Sequence, residues 1–158
     1  DYIDIISKMQ LEINQLPEKD RIIFDSFIAR LVITDYEKAI EELCKLVEHL
    51  LTLHLRTEKI PNKLLLKINL AFKERLINKK EKKQLHKFRI KRNNLTHEIN
   101  VSFSFKDFKI EFFNVFPIVI KLMLKAINDN KCEMIEPSVS ISNGDEIKPE
   151  IMIEDKTK

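Results

Sequence analysis

With 158 residues, 44% of them apolar and 34% charged, the chain has the size and make-up of one globular domain around one core. Its net charge of +3, from 28 Lys+Arg against 25 Asp+Glu, is too small to name a partner. The single glycine, Gly144, excludes the P-loop, the dinucleotide-binding fingerprint and the Gly-x-Ser-x-Gly elbow, all of which need several glycines for close backbone approach.

The first element expected is a helix from Asp1 to Leu16, with Ile3, Ile6, Met9 or Gln10, and Ile13 at helical spacing and Pro17 closing it. This start lacks both an initiator Met and the basic n-region of a signal peptide, and reads as a processed piece or part of a longer protein. A second helix is expected over Asp20–Ile33. Thr34-Asp-Tyr-Glu37 then matches a capping box opening a helix to about Arg56. That helix has Tyr36, Ile40, Leu43, Val47, Leu50 and His54 on one stripe, and Glu41, Lys45 and Glu48 on its other flank.

Pro61 marks a loop. Asn62–Asn78 reads as a helix with Leu65, Ile68, Phe72 and Leu76 inward, and Lys79–Ile99 as the next, with Leu85, Phe88, Leu95 and Ile99 as its apolar stripe. Ser104 and Asp107 can cap a last helix bearing Phe105, Phe108, Phe112, Phe116, Val119 and Met123, which Pro117 is expected to kink or split. The phenylalanine stripe reads as core or dimer interface. Beyond Asn130, Ser138–Ser142 and Ile147–Ile153 alternate around Asn143-Gly144, the pattern of a short hairpin or a loose acidic tail. The expected architecture is all-α, an antiparallel bundle of five to six helices over residues 1–130, with residues 131–158 as an acidic appendix.

Charge is unevenly spread. Lys79 to Arg92 holds eight Lys/Arg and one acid, Glu81, the kind of stretch a polyanion would use, although a basic helix face can equally be a solvated surface. Cys44 and Cys132, far apart and outside any Cys-x-x-Cys pair, read as reduced cytosolic thiols, so the expected location is cytoplasmic. Four histidines without zinc-ligand spacing argue against a metal site. No apolar run reaches the ~18–20 residues that span a bilayer.

The informative residue is Arg92. At ~100° per residue it falls inside the arc of Leu85, Phe88, Leu95 and Ile99, and a guanidinium within an apolar stripe must find a partner. Pairing with Glu48 or Glu41 inside the bundle is the structural solution. Asn93 and His97, four residues apart, share a face. Arg92 and His97 are ~140° apart, so they converge only if the helix ends or bends, or if a second subunit supplies one of them.

Arg92-Asn93-Asn94-Leu95-Thr96-His97 resembles the Arg-polar-x-x-x-His signature of HEPN domains, which are helical bundles. Lys45-Leu-Val-Glu48, on the capped helix upstream, is similar to the basic-x-x-Glu helix of that family, with Lys where Arg is more usual. The resemblance covers roughly residues 34–127. It implies a metal-independent endoribonuclease without a cofactor, a homodimer that joins two motifs in one cleft, and cleavage of RNA through 2′-OH attack to a 2′,3′-cyclic phosphate. Under it Arg92, His97 and Asn93 are catalytic and Glu48 is a supporting acid. Lys83, Lys87, Arg89 and Lys91 approach the RNA, and the setting is a toxin or antiviral-defence effector with an antitoxin or fused sensor domain. The alternatives are an inactive HEPN-like docking module and, outside the family, a helical adaptor binding a protein through its Phe-rich helix.

Overall fold

The computed structural model describes residues 2–97 and 102–129, and over them the chain is all-α. Its helices are α1 (Tyr2–Lys8), α2 (Gln10–Asn14), α3 (Glu18–Val32), α4 (Tyr36–His54), α5 (Leu64–Lys73), α6 (Lys79–His97) and α7 (Phe105–Asn128). The alternating segment at residues 138–153, read as a hairpin or tail, lies outside the described residues. No helix among them is long and apolar enough to cross a membrane.

Helix α4 is the hub, packing against α3, α5, α6 and α7. Its stripe is buried as its spacing predicts: Ile40, Leu43, Val47, Leu50 and His54 all lie inside. His54 sits there because its Nε2 reaches the Leu122 carbonyl oxygen on α7 at 2.9 Å, which satisfies a polar atom that burial would otherwise penalise. Phe108, Phe112, Phe116, Val119 and Met123 of α7 are fully buried. Phe112 stacks on Phe116 at 4.5 Å and on Phe27 of α3 at 6.2 Å between ring centroids, so aromatic contacts tie α3 to α7.

Several local expectations need correction. The first helix is two, because the chain turns at Met9; Ile6, Met9, Ile13 and Leu16 are all buried. The capping box at Thr34 is displaced by one residue. Thr34 instead closes α3 in a left-handed conformation (φ 59°), with its N–H on the Leu31 oxygen and the Asp35 N–H on the Arg30 oxygen. Asp35 is therefore the cap of α4, its carboxylate accepting from the Lys38 N–H. The Ser104–Asp107 capping box on α7 forms as expected.

Leu65 and Phe72 of α5 face outward, 39% and 36% exposed, while Leu64, Ile68 and Ala71 point to the core. Phe105 is likewise 38% exposed. Pro117 does not split α7. It lies on the exposed face, as does Phe113, whose carbonyl the missing N–H would have bonded, so water can take that acceptor.

Candidate functional site

Helix α6 differs from the rest in how little it buries. Its sequence runs Lys-Lys-Glu-Lys-Lys at the start, where Asn78 and Glu81 form a reciprocal cap, and only Leu85 and Phe88 lie fully inside. Leu95 packs against the core from a half-buried position. The remaining faces are polar or basic, and they point in different directions.

Arg92 and Arg89 turn toward α4, where they surround the buried thiol of Cys44. Burial pushes the Cys44 thiol up to about 11. The Arg92 guanidinium, as charge and N–H donor, and Arg89 oppose that rise, while Glu48 adds to it. Both arginines are half-buried, and the Nε of each is buried without a hydrogen-bond acceptor. The expected acids do not take them. Glu48 is held by Lys67 of α5 at 3.4 Å, and Glu41 by Lys38 at 3.4 Å. Lys45 pairs with Glu42 at 3.0 Å. Arg89 and Arg92 form no ion pair among the described residues.

The other basic residues expected on one RNA-facing surface are divided. Lys87 and Lys91 line a groove of about 380 Å³ between α6 and α7, together with Ile90, Asn94, Ile110 and Glu111. Burial raises the Glu111 carboxyl, and the charges of Lys91 and Lys87 draw it back down. Lys83 stands exposed, and Arg89 belongs to the α4 side. His86 meets the Asn69 side-chain oxygen at 2.9 Å. Partial burial, with Arg89 and Lys82 nearby, lowers its pKa.

Asn93 is half-buried and His97 is exposed at the last turn. The helix runs unbroken through both, with the Thr96 hydroxyl donating to the Arg92 carbonyl at 3.0 Å. In a continuous helix Arg92 and His97 therefore remain ~140° apart. One copy of the chain keeps Arg92 toward α4 and His97 toward solvent.

Two polar clusters had no warning in the sequence. The Cys44 thiol beside Arg92 joins residues on different helices, which no spacing rule connects. Asp20, in the first turn of α3, is only 4% exposed and meets His49 Nδ1 at 3.7 Å. Its carboxyl is raised by burial, against the pull of His49. Asp20, His49, Glu48 and Lys67 line a cleft of about 870 Å³. No group of His, Cys, Asp or Glu suited to a metal ion occurs among the described residues.

Comparison with protein-family models, with curated proteins and with solved structures finds no match to this chain.

Proposed function

We propose that the chain is a metal-independent endoribonuclease of the HEPN type, cleaving single-stranded RNA as a homodimer in which two Arg92/His97 segments face one cleft. The observation that supports it is the pair of half-buried guanidiniums, Arg89 and Arg92, with no carboxylate partner among the described residues. A partly desolvated cation without an acid is less well satisfied in the free protein than a paired one. A phosphodiester supplies a partner and suits a planar, permanently charged donor.

The residue types match the reaction. The ribose 2′-oxygen attacks the adjacent phosphorus as one His97 takes its proton. The bond from phosphorus to the 5′-oxygen breaks, and the second copy's imidazolium returns a proton to that oxygen. The products are a 2′,3′-cyclic phosphate and a 5′-hydroxyl, and no metal enters. Arg92 binds the non-bridging oxygens, Asn93 orients the imidazole four residues on, and Lys83, Lys87 and Lys91 attract the strand. Such a nuclease belongs with toxins and defence effectors, restrained by an antitoxin or a fused sensor domain.

A second reading, an inactive HEPN-like dimerisation or docking module, is favoured by the unbroken helix that holds Arg92 and His97 apart in one copy. Incubating a mixed-sequence RNA in EDTA with the wild type, Arg92→Ala and His97→Ala separates the two. The nuclease yields 2′,3′-cyclic ends and loses at least ~10²-fold in rate with either substitution. A folded, dimeric protein that cuts nothing points to the docking module.

A further inference from the structure

The turn from α5 to α6 is closed by a residue unsuited to its backbone. Arg75 has φ 63°, the left-handed region that glycine occupies without strain. Its N–H bonds the Phe72 oxygen, and the Leu76 N–H bonds the Ala71 oxygen, at 3.0 and 2.9 Å. The turn sends Leu76 and Ile77 into the core and leaves the Arg75 side chain exposed.

Beside it lies a pocket of about 590 Å³ whose wall carries four cations, Lys73, Arg75, Lys79 and, from α7, Lys121, and no carboxylate. The two acids next to these cations in sequence are already paired, Glu81 with one of the four. Glu81 accepts from Lys121 Nζ and from the Asn78 N–H, both at 2.8 Å. Glu74 turns away to accept from the Arg56 and Thr57 N–H groups and the Thr57 hydroxyl. Lys73, Arg75 and Lys79 form no ion pair among the described residues. Three uncompensated cations around one concavity select an anion. On α6 the exposed cations continue through Lys80 and Lys83 to Lys87, on the face that carries His97 at the far end, a path of roughly 27 Å over eighteen residues.

We propose that this pocket is a phosphate subsite that holds the backbone of single-stranded RNA at a distance from the Arg92/His97 segment, a role that rests on RNA being the partner. The probe is a fluorescein-labelled 2′-O-methyl uridine 20-mer, which lacks the 2′-hydroxyl nucleophile and so reports binding without cleavage. The variant is Lys73→Ala/Arg75→Gly/Lys79→Ala. All three positions are exposed, and glycine accepts the left-handed turn.

In anisotropy titrations across a salt series, the triple variant is expected to bind at least tenfold more weakly than wild type. Its log–log salt slope should be shallower by about 2, given ~0.7 per phosphate contact on a single strand. Wild-type affinity and slope in the triple variant overturn the subsite, even if inorganic phosphate alone binds the pocket in a parallel calorimetric titration. Cleavage in the EDTA assay together with that result removes only the subsite. Weakened binding without any cleavage removes only the nuclease.

Discussion

Two seams meet on α4, and they are built from opposite chemistry. Where α3 and α7 converge, Phe24, Phe27, Phe108, Phe112 and Phe116 are fully buried and in mutual ring contact. The polar atom reaching into α7, His54 Nε2, has the Leu122 carbonyl. Where α6 lies on α4, two guanidiniums are half-buried beside a thiol, each with an Nε lacking an acceptor. The first seam stabilises the fold through burial and dispersion. The second is less stable than an apolar seam would be, and it is the one from which RNA recognition is proposed. Cores tolerate such unsatisfied charge poorly, which is why it directs attention to ligand binding.

The contrast is most severely tested by Phe112→Ala. Removing a fully buried ring that touches Phe27, Phe108 and Phe116 should destabilise the protein by about 3–5 kcal/mol, read as a shift of the urea midpoint. A loss below about 1 kcal/mol would mean that the aromatic seam is loosely packed.

A smaller effect is expected from pH at Cys44. Its thiol is raised by burial from about 9 to about 11 in the folded chain, so the folded state holds the proton more tightly than the unfolded state. The stability contributed is full below pH 9 and is lost as pH rises through about 11. Compared with Cys44→Ala, the wild type should therefore lose roughly 2–3 kcal/mol across that window. Parallel denaturation curves for the two proteins at pH 8, 9, 10 and 11 measure the difference. Identical pH slopes would show that the thiol is not desolvated.

The smallest effect is the most diagnostic of the α4–α6 seam. Arg92→Met keeps the apolar stem of the side chain and removes the charge, so stability should stay level or rise by about 1 kcal/mol while RNA affinity falls. A loss above about 3 kcal/mol would reveal Arg92 as half of a structural ion pair and remove the support for the phosphate-binding reading.

Much of the fold was legible in the residues. The stripe of α4, the phenylalanine periodicity of α7 and the Ser104–Asp107 cap follow from local spacing and local hydrogen bonding, and each is present in the structure. The failures have separate causes. Leu65 and Phe72 have helical spacing, but Leu64, Ile68 and Ala71 have it too, and only the position of α4 and α6 decides which set turns inward. Pro117 breaks a hydrogen bond wherever it lies, yet on the exposed face the orphaned acceptor is left to water and the helix continues. Thr34 could not cap α4 because α3 already used it as its left-handed terminus.

At the candidate site, the place of Arg92 within an apolar stripe and the shared face of Asn93 and His97 follow from the ~100° step of a helix alone. The basic run of α6 is likewise a matter of composition. The tertiary structure decided where those charges point: Arg89 and Arg92 toward Cys44, Lys87 and Lys91 toward Glu111, His97 toward solvent. It also gave Glu48 to Lys67 instead of Arg92, and gathered Lys73, Arg75, Lys79 and Lys121 around one pocket. The difference is one of range. Periodicity and capping act within about one or two turns of a single helix, whereas the partner of a side chain across a seam depends on how two helices pack.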